Sequence, residues 1–333
     1  MLEGDLSFFV IKGLRSMKKW FILIVACILC SCGTGTNDSF MEPNGKTKVL
    51  STTAMIDDLV AVIGGKEIDH ASLIVGDLDP HSYELVKGDD EKLLSADVIF
   101  YNGLGLEHGA SLRGHLESHG QAIGLGDILY RENPGSFITI DGSLDPHFWM
   151  DVALFSQIID PIVTILSEKD PKHAELFRER GTTLKAAMIA KDRALMEEVQ
   201  SIPPQNRYLV TSHDAFYYFA KKYLSRPGEE NWEERFMAPE GLAPDGQMSI
   251  LDIQAVSEFL CEHQIHIVFP ETNINQDALK KIVSICREKG LHVKIATTPL
   301  YGDTMGAKGT GADSYLEMIE HNVRTLSQEL PRE

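Results

Sequence analysis

Three histidines and one aspartate supply the side-chain types from which a transition-metal site is built. Two of the histidines sit in near-copies of one stretch, Asp79-Pro80-His81 in "DLDPHSYEL" and Asp145-Pro146-His147 in "LDPHFWMD". The third is His213 in "VTSHDAF", and the aspartate is Asp303 in "TTPLYGDTMG". Three imidazoles with one carboxylate make a mixed nitrogen–oxygen donor set suited to first-row divalent ions. Proline before His81 and His147 restricts the backbone and fixes where each ring points. Asp79 and Asp145, two residues ahead of each His, can cap a turn or accept a hydrogen bond from the ligand ring; turn capping is the expected role.

Such residues matter only if the fold gathers them. From residue 47, short apolar runs alternate with helical stretches. "KVLST" (48–52), "SLIVG" (72–76), "DVIFYN" (97–102) and "QAIGLG" (121–126) predict buried strands, with helices over 56–63, 91–95 and 109–117. The pattern returns in "RYLVTS" (207–212), "IHIVFP" (265–270) and "HVKIA" (292–296), with helices over 215–223, 249–263, 276–289 and 314–330. Alternation of this kind implies an α/β fold in two lobes, 47–168 and 203–333, each a mainly parallel sheet flanked by helices. Residues 169–202 between them carry no strand signal. Asp170 can cap, Pro171 suits the first helical position, and Pro203-Pro204 ends the run. A single helix of roughly 29 residues would span about 43 Å and join the lobes stiffly, with Gly181 a weak point within it. Ligands of open α/β sheets bind at the carboxyl ends of strands. His81 and His147 fall at such ends in the first lobe, His213 and Asp303 in the second.

Composition narrows the partners. At 43% hydrophobic and 24% charged, the 333-residue chain is an ordinary globular protein with ample core. A formal charge of −18 lacks the basic footprint that nucleic acid needs. The start differs from the rest: "MKKWFILIVACILCSC" (17–32) has Lys18 and Lys19, an apolar run too short to span a bilayer, then Leu29-Cys30-Ser31-Cys32. It resembles a bacterial lipobox, so residues 1–31 are expected to be a signal peptide, with Met17 an alternative start. Cys32 is then the lipidated residue and 32–46 a polar tether to the membrane. Losing Glu3, Asp5, Lys12, Arg15, Lys18 and Lys19 moves the formal charge from −18 to −20. Only Cys261 and Cys286 remain in the body, expected as buried thiols rather than a bridge. With the sequence's one Cys-x-x-Cys, Cys27 to Cys30, inside the expected signal peptide and none in the body, a metal site must use His and carboxylates.

Five ordered stretches resemble one family, the metal-specific (cluster A-I) substrate-binding lipoproteins of bacterial ABC importers. They are "DPHSYEL" (79–85), "YNGLGLEHG" (101–109), "DPHFWMDV" (145–152), "VTSHDAFYYFAKKY" (210–223) and "LYGDTMG" (300–306). The similarity extends over about residues 47–330. It implies two lobes on one long helix, and a cation held by His81, His147, His213 and Asp303. It also implies handover to a membrane permease with a cytoplasmic ATPase, in an extracytoplasmic, monomeric protein that is not an enzyme. Manganese members usually place Glu where this chain has His213, and zinc members carry a His- and acid-rich loop. Here only His108, His115 and His119 lie in the corresponding region, read as a solvated helix face rather than an accessory metal trap. The resemblance leaves zinc, manganese and iron open as cargo. Glu84, Trp149, Phe216 and Tyr301 are expected to pack or orient the ligand loops. Glu271 follows the strand at 265–270 and is either a brace for a ligand His or a surface acid.

Two other classes deserve weighing against a transport protein. A zinc hydrolase would use three of the ligands and an activated water, but His-Glu-x-x-His, Gly-x-Ser-x-Gly and Walker signatures are absent from the sequence. An adhesin is compatible with the fold, because fold does not fix function.

Overall fold

The first strand, β1 (Thr47–Ser51), begins a computed structural model that describes residues 40–243 and 248–332. The expected signal peptide, Cys32 and most of the expected tether lie outside the described residues. Val49 and Leu50 in β1 are fully buried, as expected of a strand covered on both faces. Helix α1 (Ala54–Gly64) follows and buries Met55, Ile56, Leu59, Val60 and Ile63, one face at helical spacing. Then come β2 (Ile68–Ser72), α2 (Asp89–Ser95), β3 (Val98–Tyr101), α3 (Ala110–Ser118), β4 (Ala122–Gly124) and α4 (Leu125–Glu132). The four strands form one parallel sheet in the order β2-β1-β3-β4. A helix in each crossover is what parallel pairing requires.

β2 lies four residues before the run read as a strand. Its residues Asp69 and His70 are partly exposed on an edge strand, so the stretch lacks an apolar signature. The apolar Leu73 and Ile74 close the pairing, donating to the carbonyls of Ser51 and Thr52 at 2.8 and 3.0 Å.

A two-stranded antiparallel hairpin, β5 (Thr139–Ile140) and β6 (Ser143–Leu144), leads into His147. Short helix α5 (Val152–Phe155) and α6 (Ile159–Lys169) complete the first lobe. The long helix appears as expected: a 3-10 turn at Pro171–His173 runs into α7 (Ala174–Gln200). Asp170 does not cap the backbone; its Oδ2 sits 2.6 Å from His173 Nδ1. Gly181 is a contact point rather than a weakness. A Cβ there would meet Val163 Cγ2 at 2.5 Å and Ile159 Cγ2 at 3.2 Å, so the glycine lets α6 lie close on α7. Gly181→Val is expected to cost about 1–3 kcal/mol by overpacking, read as a lowered midpoint in thermal melting.

The second lobe holds β7 (Leu209–Val210), α8 (Tyr217–Phe219), β8 (Phe236–Met237), α9 (Ile250–Glu262), β9 (Ile267–Val268), α10 (Asp277–Glu288), β10 (Lys294–Ile295) and α11 (Tyr315–Glu329). β7 pairs parallel with β8, and β9 with β10. Phe269 N donates to Val210 O at 2.8 Å and joins the two pairs. After α8 the chain does not stay α-helical to residue 223: Ala220–Leu224 is a π-turn, closed by Ser225 N on Ala220 O at 2.9 Å. Lys222 and Tyr223 in that turn both reach Asp192 of α7, at 3.0 and 2.7 Å. One apolar core runs from Val49 and Phe100 through Phe177 and Met188 of α7 to Phe219 and Leu326. A single buried stripe of α7, from Phe177 to Val199, packs against both α1 of the first lobe and α11 of the second, which is why it can fix the lobes.

Candidate metal centre

Four loops deliver the site, and each is held by its own hydrogen bonds. After β2, Asp79 Oδ1 accepts from His81 N at 2.8 Å, the expected turn cap. His81 O accepts from His108 N and Gly109 N at 3.1 and 3.0 Å, so the loop after β3 supports the first His. After β6, Asp145 takes both roles left open for it. Its Oδ1 accepts from His147 N at 2.9 Å and meets His147 Nδ1 at 2.7 Å. A proton held on Nδ1 leaves the lone pair of Nε2 facing the cleft.

In the second lobe, Glu271 joins three groups of the His213 loop. Its Oε1 accepts from Ser212 N and His213 N, both at 2.9 Å. Its Oε2 lies 2.7 Å from His213 Nδ1, a close charge contact whose angle falls short of a hydrogen bond. Glu271 is 2% exposed, so it is no surface acid. Asp303 is placed by its neighbours: Trp149 Nε1 donates across the cleft to Gly302 O at 3.0 Å, and Asn322 clasps both the N–H and the C=O of Tyr301. Gly302 itself leaves no room for a side chain, since a Cβ would fall 2.3 Å from Glu271 Oε2.

The four side chains converge. His81 Nε2 is 3.1 Å from His147 Nε2 and 3.8 Å from Asp303 Oδ2. Asp303 Oδ1 is 3.5 Å from His147 Nε2, and Oδ2 is 3.1 Å from His213 Nε2. One donor atom from each residue lies within 4.8 Å of the others, and all four residues are buried. Metal bonds of about 2.0–2.1 Å in a tetrahedron set donor atoms about 3.3 Å apart, so these separations suit a shared cation.

Electrostatics show what is missing from an all-protein arrangement. Both Asp303 oxygens are buried and neither accepts a well-formed hydrogen bond among the described residues. Burial works against its charge, yet His213, His81 and His147 hold its pKa well below the usual carboxylate range. Burial and the neighbouring imidazoles push His81 well down against the pull of Asp303, leaving it neutral. His213 moves the other way: Asp303 and Glu271 outweigh burial and keep a proton on it well past the ordinary value.

Sequence reasoning left Asn102 and Glu107 without a role. Glu107 is buried and accepts from Thr52 Oγ1, Asn102 N and Gly103 N at 2.7, 2.8 and 3.1 Å. Asn102 Nδ2 then donates to Pro146 O at 3.0 Å, next to His147. The loop after β3 therefore steadies both His81 and His147; a charged residue inside "YNGLGLEHG" was the available signal. Glu84 caps α3, accepting from Ala110 N and Ser111 N at 2.7 and 2.8 Å. Trp149 bridges the lobes, and Phe216 is buried in the core. Cys261 and Cys286 are free thiols, Cys286 buried.

Residues 49–329 match the family model described as zinc-uptake complex component A, periplasmic. The chain belongs to that family. It is 40% identical to the metal-binding protein YtgA of Chlamydia muridarum over 96% of this chain and 95% of that one. It is 33% identical to the manganese-binding lipoprotein MntA of Bacillus subtilis over 90% of this chain and 94% of that one. The crystal structure of Fe(III)-bound YtgA from Chlamydia trachomatis superposes with a TM-score of 0.80 at 39% identity, covering 85% of this chain and 98% of that chain. The family's two-lobed fold is the one described above. This is the extracytoplasmic metal-binding component of an ABC importer, working with a permease and its ATPase, and not an enzyme. Neither the hydrolase nor the adhesin gains support. Among the described residues no helix is long and apolar enough to cross a membrane.

Proposed function

We propose that His81, His147, His213 and Asp303 together hold one transition-metal ion as cargo between the lobes over 47–168 and 203–333, with Glu271 orienting His213. The observation that carries this is Asp303, a buried carboxylate that accepts no well-formed hydrogen bond among the described residues and faces three imidazole nitrogens. A cation supplies the partner those groups lack. Four protein donors leave no position dedicated to a substrate, which fits carriage rather than catalysis. Zinc, manganese and iron all occur among the relatives. At a nitrogen-rich site zinc out-binds ferrous iron, and iron out-binds manganese, by the Irving–Williams order. Titration calorimetry of the apo-protein should give that order with one ion in the cleft; equal affinity for zinc and manganese would contradict the donor set. Elemental analysis of protein purified from its own host identifies the physiological cargo.

Binding should release a proton, because the ion must displace the one that Asp303 and Glu271 hold on His213. The sign follows. Below the raised pKa of His213, affinity rises with pH, by about tenfold per unit for one displaced proton, and acidification weakens binding. The apo fold responds oppositely: the contribution of charged His213 is fully present below the unfolded value and fades as pH climbs through the folded one. Calorimetry in buffers of differing ionisation enthalpy measures the released proton; no buffer dependence would remove this account.

We further propose a monomer tethered through lipid on Cys32, on the strength of the lipobox and of lipoproteins among its relatives. Cys32→Ala should leave the chain unlipidated and free of the membrane fraction, with metal affinity unchanged. Membrane retention without lipid in the wild type would refute the anchor.

A further inference from the structure

His115 and His119 stand one turn apart on the flank of the first lobe, His119 capping the end of α3. Leu112 and Leu116 of the same helix face the core, and the two imidazoles, at i+3 and i+7 from Leu112, border that buried face and are half-buried. Their rings stack, with centroids 5.0 Å apart and planes 22° from parallel. Nε2 of His115 and Nδ1 of His119 are both shut off from solvent, and neither has a hydrogen-bond partner among the described residues. A helix face merely solvated, as the sequence suggested, would leave those nitrogens wet. Shielded polar atoms without partners are costly unless something binds them.

We propose that His115 and His119 form a second metal site, separate from the cleft, which takes one nitrogen-seeking divalent ion such as zinc, nickel or copper. Histidines at this spacing lie on one helix face and can grip a single ion together. Each ring is half-buried, so a modest rotation admits the ion, and water completes its shell. Little competes for the donor atoms: burial, then the neighbouring His119, lower the pKa of His115, while Asp90 on α2 pulls it up and adds negative charge nearby. Two imidazoles without a coordinating carboxylate favour zinc, nickel and copper and serve manganese poorly. Zinc and manganese stoichiometries should therefore differ, although both ions can enter the cleft.

The test titrates the dialysed full chain with zinc and with manganese. Zinc should load two equivalents, one tight and one weaker, and manganese one. His115→Gln and His119→Gln, which keep size and polarity, should each remove the weaker zinc equivalent and spare the tight one. His147→Ala should do the reverse, which separates this site from the cleft. A single zinc equivalent in the wild type overturns the proposal, as does a second equivalent that survives in both Gln variants.

Discussion

Asp303→Ala is expected to abolish useful metal binding while leaving the fold intact. The side chain supplies the only anionic donor among the four, and its charge faces three imidazoles within 3.1–3.8 Å. Removing it deletes a coordinate bond and leaves a cation in a buried pocket of neutral nitrogens. Loss of an outer partner of a metal ligand alone costs about 10–100-fold in affinity; loss of this donor should exceed that range. The fold should survive because the loop is anchored through its neighbours, by Trp149 on Gly302 and Asn322 on Tyr301. His81→Ala, His147→Ala and His213→Ala should fall in the same class. Titration calorimetry with circular dichroism as a folding check decides the matter, and wild-type-like affinity in all four variants would discard the site.

The convergence of the four side chains was legible because a general rule, ligands at strand carboxyl ends, picked out polar residues in otherwise unremarkable loops, although His147 follows an antiparallel hairpin and not a strand of the parallel sheet. The long helix was legible because prolines bracket it and no alternation interrupts it. Other features depend on contacts between residues far apart in sequence. Glu271 reaches the backbone of Ser212 and His213 through the fold, so from its own neighbours it could be read either as a brace or as a surface acid. Asp145 could be read as a cap or as a partner of the ring, and the structure shows one oxygen doing both. β2 was displaced because an edge strand can carry Asp69 and His70, whereas the apolar run marks only where it ends. The π-turn at 220–224 has no periodicity signal of its own. Tertiary demand explains it: Lys222 Nζ also lies 3.4 Å from Asp151, at the start of α5 just beyond His147. Lys222 thus ties a first-lobe ligand loop, the long helix and the second lobe. That tie and the shared core along α7 argue that release proceeds through small shifts of the ligand loops rather than wide opening of the lobes.

Glu271→Gln should then weaken metal binding by about 10–100-fold without unfolding the protein, and it tests how His213 is prepared. The amide keeps the size of the side chain, and its carbonyl oxygen can still accept from Ser212 N and His213 N. What changes is the atom facing His213 Nδ1, now an NH₂ donor in place of a carboxylate oxygen. A donor there favours the ring tautomer with its proton on Nε2, the nitrogen that must face the ion. Loss of the negative charge also removes part of what holds the extra proton on His213, so proton release on binding should shrink alongside affinity. Glu271→Ala would lose the backbone anchors too, and its fall in affinity would mix loop loosening with tautomer choice. Gln separates the two. If the Gln variant bound zinc as tightly as wild type while Ala did not, Glu271 would be a brace for the backbone alone. A fall in both affinity and proton release in the Gln variant assigns it to the imidazole.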